Sequence, residues 1–230
     1  MISVKRENPS AKRHADSAGG IAAESRRART HRRLIAEAIK LARYGSVVSV
    51  AEVAAAAGVS RAAAYRYFPS HSRLVDAIVE ESLGPVRRFE SRALEGTERI
   101  RELFEETFPR FKEFEPQLRA ALQLSLEHWA LEKSGLLQEE PFRRGNRRRI
   151  LARAASPLES RLGPKAFERL LKALSLVYGI EPYVILKDMW GASNREVDRI
   201  ARWVAEAVIE KSLRDDAPPA ASPRARPRGR

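Results

Sequence analysis

The sequence predicts an all-α protein. Between the two ends of the chain, apolar residues recur at helical rather than strand spacing, and prolines and glycines separate the apolar runs. The chain has 230 residues, which is enough to bury a sizeable core. No repeat of fixed period is visible, which argues against a solenoid, and two unequal helical domains are the working interpretation.

The strong positive charge indicates a polyanionic partner. The chain has 43 Lys and Arg residues against 30 Asp and Glu residues, a net charge of +13, and nucleic acid or an anionic membrane surface would fit it. The absence of cysteine excludes disulfides, thiolate metal sites and a cysteine nucleophile, and it suits a reducing cytoplasm. No stretch has the apolar length of a membrane span, and the N-terminus lacks the apolar core of a signal peptide. We therefore expect a cytoplasmic protein without a membrane partner.

Both ends of the chain have the composition of disordered segments. Residues 1–27 mix Ser, Ala, Gly and basic side chains with almost no large apolar residue, and residues 214–230 are rich in Pro and Arg. We expect a disordered basic arm and a disordered Pro/Arg tail. Between them, a composition shift near Gly84 and Pro85 divides the chain into domains 28–85 and 86–213.

An amphipathic pattern predicts the first helix and several later ones. Gly45 closes a helix whose one face carries Leu34, Ile35, Ala38, Leu41 and Ala42. The same spacing predicts about five or six helices between Val86 and Leu213. The apolar runs there are Leu103–Phe111, Leu118–Trp129, Phe167–Tyr178 and Val197–Val208.

A capping box marks the start of a helix pair. Ser49 is followed three residues later by Glu52, so each side chain can bond the backbone N–H of the other, and a helix should begin directly after Ser49. Gly58 tolerates the left-handed turn that ends this helix, and Ala54, four residues before it, lets a second helix cross closely. These features predict a helix-turn-helix over residues 49–68.

The second helix of the pair, from Ser60 to Phe68, is the expected recognition helix. Ser60 can cap it, while Ala64 and Phe68 point inward. Arg61 is the best candidate for reading bases, because a guanidinium can make two parallel hydrogen bonds to a guanine edge. The alanines leave room for the backbone to approach DNA. We expect Tyr65, Arg66 and Tyr67 to contact phosphate and sugar. Alternatively, the two tyrosines belong to the core.

The segment from Val50 to Leu74 resembles the helix-turn-helix of TetR-family regulators. It contains AEVAAAAGVS, then YRYF at Tyr65–Phe68, then PSHSRL. The resemblance implies a three-helix N-terminal DNA-binding domain, with Arg29–Arg43 as its first helix and the helix from Ser70 as the link to a larger helical domain. It also implies that the larger domain binds a ligand and forms a dimer, with repression as the usual outcome.

Two positions depart from the family pattern. Ala63 stands where the family commonly has a Thr that contacts the DNA backbone, and His71 stands where a Lys usually binds phosphate. These changes should weaken nonspecific affinity, although a histidine can still donate to phosphate. The full set of residues expected at DNA is Ser49, Arg61, Ala62, Ala63, Tyr65, Arg66, Tyr67 and His71.

The resemblance also extends to a dimer interface and an effector pocket. The stretch from Leu174 to Gly191 resembles a C-terminal interface segment of some TetR-like groups; it is apolar on more than one face, and Gly179 and Pro182 inside it predict a bend. A homodimer would place two recognition helices about 34–36 Å apart to read a palindromic site. The candidates for the pocket, or else for plain core, are Phe104, Phe108, Phe111, Leu122, Leu126, Trp129, Phe142 and Tyr178, with His128 and Glu181 as polar anchors.

Other functional classes have weaker support in the sequence. The four histidines are scattered, and there is no HExxH, no Gly-rich phosphate loop and no GxSxG, so we expect neither an enzyme nor a cofactor or metal. Arg143–Arg149 is interpreted as a solvated surface patch. The expected function is a homodimeric repressor released from a palindromic operator by an unidentified small molecule. The alternative is a ligand-independent architectural protein that binds DNA with the same fold. For the basic arm, two interpretations stay open: it is solvated, or it contacts DNA.

Overall fold

The computed structural model describes residues 11–144 and 146–215, with side chains from residue 26 onward, and within these ranges the regular structure is helical with no strand. This confirms the all-α class. None of the helices in these ranges has the length and apolar character needed to cross a bilayer. The α-helices are α1 (Ala11–Leu41), α2 (Val50–Ala56), α3 (Arg61–Tyr67), α4 (His71–Arg87), α5 (Gly96–Glu113), α6 (Glu115–Lys133), α7 (Asn146–Ala155), α8 (Glu159–Val177), α9 (Glu181–Trp190) and α10 (Asn194–Asp215), with short 3₁₀ turns at Ala42–Tyr44 and Ser156–Leu158.

The first helix is longer than the sequence pattern predicts. Residues 11–27, expected to be a disordered arm, form the first turns of α1. The physical reason is local, since this part of the chain has no proline and is rich in alanine and arginine, both strong helix formers. At the other end α10 continues to Asp215. The rest of the expected arm and tail, residues 1–10 and 216–230, lies outside the described residues.

The helices form two compact units whose boundaries differ from the expected division near residue 85. Among the described residues, the first unit contains those up to Ser82 and also Pro116–Phe142, and the second contains Leu83–Glu115 and those from Arg143 onward. Most of α6 therefore belongs with the N-terminal helices. The Gln117 side-chain amide donates to the Ile39 carbonyl at 3.0 Å, a contact between distant segments that helical periodicity cannot reveal.

The first unit has a core of small and branched side chains. Leu34, Ala38 and Ala42 of the predicted face are buried, whereas Leu41 is exposed, which corrects its expected place in that face. A second small cluster joins α4 to α6, where Val75 packs with Ala121, Leu124 and Phe142. The main core comprises Leu34, Ile35, Ala38, Ala42, Val48, Val50, Val53, Ala54, Ala57, Ala64, Phe68, Leu74 and Ile78.

The second unit is built around aromatic side chains. The rings of Phe104 and Phe108 lie 5.0 Å apart between centroids, and the ring of Tyr178 lies 5.3 Å from that of Phe104. The segments α5 to α10 agree with the predicted helical pattern, and α8 is interrupted by a kink at Gly163, whose φ of 69° is not helical. The bend expected at Gly179 and Pro182 is a full break, since α8 ends at Val177 and α9 begins at Glu181 with proline in its first turn.

The turn between α2 and α3 depends on one glycine. Gly58 has φ of +60°, in the left-handed region, and its N–H donates to the Ala55 carbonyl at 3.1 Å. The next residue, Val59, donates to the Ala54 carbonyl at 2.9 Å. These bonds satisfy two carbonyls that the end of α2 would otherwise leave unpaired.

The capping box at the start of α2 is present as predicted. The Ser49 hydroxyl accepts the Glu52 N–H at 3.2 Å, and the Glu52 carboxylate accepts both the Ser49 N–H at 2.8 Å and its hydroxyl at 2.7 Å. Hydrogen bonds from the Ser49 side chain and backbone lower the pKa of Glu52. The ionised carboxylate therefore contributes to folding.

Replacing Gly58 with Ala is expected to lower the free energy of unfolding by about 1 kcal/mol, because a Cβ is strained in the left-handed conformation. The added Cβ would meet only the flexible Arg33 guanidinium, at 3.2 Å, so backbone strain dominates. Urea unfolding followed by circular dichroism measures the change. Gly58→Asn is the matched control and should lose less, because asparagine visits this conformation more readily; equal losses for both variants would contradict this explanation.

Replacing Glu52 with Ala is expected to destabilise the chain at neutral pH, with a difference from wild type that disappears in acid. The pKa of Glu52 is lowered on folding from its ordinary value of 4.5, so the contribution is complete above that value and is lost as the pH falls through the lowered pKa. Unfolding midpoints measured from neutral pH into acid test this. Glu90→Ala, at an exposed residue outside the helices, should show no such trend, and a loss for Glu52→Ala that stays constant with pH would refute the assignment.

Candidate nucleic-acid interface

The recognition helix expected from the sequence is α3, and its start is capped as predicted. The Ser60 hydroxyl accepts the Ala63 N–H at 3.2 Å. Ala64 is fully buried and Phe68 is 3% exposed, so both point into the core. A helix of this length is unstable alone, and the cap and the two buried side chains fix its orientation.

The opposite side of α3 faces solvent. Arg61, Ala62, Tyr65 and Arg66 are exposed, and Ala63 is half-buried. Arg61 makes no hydrogen bond or ion pair with the described part of the chain, so its guanidinium is available to another molecule. An exposed arginine beside two small residues gives this face a donor and room for close approach.

The two tyrosines of α3 differ in environment. Tyr65 is 46% exposed. Tyr67 is half-buried and packs at the edge of the core, with its ring centroid 6.0 Å from that of His31 on α1. The His31 ring also lies 5.4 Å from that of Phe68. His31 thus supports the recognition helix, a role that its isolated position in the sequence does not signal.

Exposed arginines on α1 add positive charge to the same unit. Arg26, Arg29 and Arg33 recur at helical spacing, and Arg27 and Arg32 lie between them; all five are exposed. Arg33 lies close to the turn at Gly58. Because these positive side chains of α1 and α3 are exposed, they are available to bind phosphate groups.

Ser49 and His71, both expected at DNA, take part in internal contacts. The Ser49 hydroxyl belongs to the capping box of α2. The His71 ring places Nε2 2.7 Å from the Val48 carbonyl, and its backbone N–H donates to the Glu139 carboxylate at 2.8 Å. The histidine therefore links the start of α4 to the segment before α2. Glu139 lies 68 residues further along the chain, so no local signal predicts this contact.

The residues proposed for an effector pocket are divided between the two units. Phe104, Phe108, Phe111 and Tyr178 pack in the aromatic core of the second unit, where the Thr107 and Tyr178 hydroxyls lie 2.9 Å apart. Burial raises the pKa of Tyr178. The remaining apolar candidates lie in the first unit: Phe142 is buried, Leu122 is half-buried, and Leu126 and Trp129 are each 61% exposed on α6.

The two proposed polar anchors also lie in different units. His128 is 4% exposed in the first unit. Glu181, in the second, is paired with Arg144 at 2.6 Å and Arg147 at 2.5 Å. Burial raises the pKa of Glu181, but the two guanidinium groups outweigh burial and lower it overall. Two arginines of the expected solvated patch are thus held in ion pairs, which corrects that interpretation for them.

Comparison with known proteins agrees with the geometry of the first unit. A family model described as bacterial regulatory proteins, tetR family, matches residues 34–78, which begin within α1, include the helix-turn-helix and end within α4. No curated protein and no solved structure matches the chain. The match covers the helix-turn-helix segment, which is similar to that of tetR-family regulators, and it supports a DNA-binding transcriptional regulator.

Proposed function

We propose that this regulator is a homodimeric repressor that reads a palindromic operator with α3 and leaves it when a small molecule binds. The observation that carries the proposal is the two-sided character of α3. Its inner side, Ala64 and Phe68, is fixed in the core, while its outer side presents Arg61 and Tyr65 to solvent. A rigidly held helix with an exposed polar face suits the major groove of B-DNA.

The proposed division of work on α3 follows from exposure and chemistry. Arg61 lies in the first turn, next to the exposed Ala62, and its planar guanidinium can make paired hydrogen bonds to guanine. Tyr65, Arg66 and Tyr67 follow at positions suited to phosphate and sugar, where they orient the helix without reading sequence. The exposed arginines of α1 add sequence-independent affinity.

Exposed apolar residues of the second unit support the proposed dimer. Leu176 at the end of α8 is 75% exposed, Met189 and Trp190 on α9 are each 76% exposed, and Trp203 on α10 is 68% exposed. Large apolar side chains at this exposure are costly in water and are typical of protein interfaces. Three of them fall in the stretch from Leu174 to Gly191 that resembles an interface segment.

For a bound ligand to release the repressor from DNA, the ligand site must be connected to the recognition helix. α4 supplies a continuous element, since its first part belongs to the first unit and its last turn to the second. The start of α4 also contacts the segment before α2 through His71. A ligand that changes how α4 is held can therefore change the placement of α2 and α3.

Selection of bound duplexes from random DNA by the purified full chain tests this function. Wild type is expected to recover a palindrome whose half-sites lie about one helical turn apart. Arg61→Ala should relax the base preference at one position of each half-site, equivalent to about 1–3 kcal/mol of lost discrimination. Tyr67→Phe should weaken binding without changing the preferred sequence.

Arg61→Lys is the matched control, because it keeps the charge and loses the planar fork. It should retain overall affinity better than Arg61→Ala while showing the same relaxed preference. An unchanged consensus for Arg61→Ala would show that another residue reads the bases. Recovery of a single half-site would contradict the dimer.

A further inference from the structure

An open groove in the first unit has the size of a small-molecule site. It lies between the C-terminal half of α6, the loop that follows, and the start of α4, and its volume is about 510 Å³. Sites for small molecules commonly have volumes of this order and combine an apolar wall with few polar groups. None of the residues proposed for the effector from sequence lines it except His128.

One wall of the groove is aliphatic. Leu124 and Leu131 of α6 line it, together with Val47 from the segment before α2 and two leucines of the loop after α6. Leu124 is buried and Leu131 is half-buried. An alkyl chain of a ligand would lose contact with water against this wall, which favours binding.

The polar side of the groove carries negative charge. Glu127 and Glu139 line it, together with His71, His128 and one glutamine, and no lysine or arginine does so. Glu127 is exposed and makes no ion pair with the described part of the chain. In a protein with a net charge of +13, a groove lined by two carboxylates and no fixed positive charge is complementary to a cation.

Glu139 is held at the centre of a polar network. One carboxylate oxygen accepts the backbone N–H groups of His71 at 2.8 Å and Ser72 at 3.4 Å, and the other lies 3.3 Å from Nε2 of His128. The His128 ring accepts the Phe142 N–H at Nδ1 over 3.1 Å, which places its proton on Nε2, towards Glu139. Glu139 therefore caps the start of α4 from a distant loop.

The network gives an occupant of the groove a route to the DNA-binding helices. The first two N–H groups of α4 depend on Glu139, while the third, from Arg73, is accepted by the Ser70 hydroxyl at 3.2 Å. A cation that takes over the Glu139 oxygens removes the cap from the first turn of α4. That turn carries His71 and its contact with the Val48 carbonyl, directly before α2.

We infer that this groove binds a small amphiphilic cation, an amine with an aliphatic body, whose ammonium group pairs with Glu139 and Glu127. Binding draws Glu139 away from the start of α4 and weakens the hold on the helix-turn-helix. This inference rests on the proposed function for its effect on DNA, but binding of the amine itself does not. It assigns the chemical class of the effector and places its site in the first unit.

Calorimetric titration of the full chain with octylammonium tests the site without DNA. Wild type is expected to bind octylammonium and to bind octanoate and 1-octanol much more weakly. Glu139→Gln and Glu127→Gln should each weaken octylammonium binding by about tenfold, as expected for loss of a charge-assisted hydrogen bond. Glutamine at position 139 retains an oxygen that can cap α4, and Glu127 is exposed, so both variants should fold.

Glu210→Gln, at an exposed residue of α10, is the matched control and should bind like wild type. Absence of octylammonium binding, equal binding of octanoate, or equal losses in all three variants would overturn the site. Octylammonium should also lower the affinity of wild type for its selected DNA by about fivefold or more, and have no effect on Glu139→Gln. If the protein binds its selected DNA but not octylammonium, the groove proposal is refuted and the proposed function stands. If it binds octylammonium but no DNA, the proposed function is refuted and the groove proposal stands.

Discussion

The structure of the DNA-binding unit depends on how the ends of its short helices are satisfied. α2 and α3 are each seven residues long, too short to persist in water without support. The Ser49 and Ser60 hydroxyls accept backbone N–H groups at the starts of α2 and α3. In the turn at Gly58, two backbone N–H groups donate to carbonyls at the end of α2. The exposed face of α3 exists only because these bonds and the buried Ala64 fix the rotation of the helix about its axis.

The same requirement at α4 joins distant parts of the chain. Its N–H groups are satisfied partly by Ser70 and partly by Glu139, which is itself held by the buried His128. A cap supplied from 68 residues away costs more conformational entropy than a local one, because more of the chain must be ordered. It also makes the start of α4 sensitive to the loop after α6. The regulatory proposal follows from this dependence, because a group that competes for one carboxylate changes a helix that contacts the segment before α2.

The features that sequence could predict are those set by near neighbours. The capping box at Ser49, the cap at Ser60 and the inward direction of Ala64 depend on spacings of three or four residues, and all are present. The place of α6, the contact of Glu139 with α4 and the ion pairs of Glu181 depend on which segments meet in space, and periodicity does not encode that. Trp129 shows the limit clearly: its spacing predicts a buried face, yet it is 61% exposed.

The proposed function requires the outer face of α3 to contact DNA, and the absence of cysteine in the chain allows this contact to be measured directly. A single cysteine replacing the exposed Ala62 can carry a photoactivated crosslinker, and the same label at the exposed Ala207 of α10 serves as reference. Efficient crosslinking of duplex DNA is expected from position 62, and little from position 207, under conditions where both proteins bind. Equal, background-level crosslinking from both positions while DNA stays bound would contradict this contact.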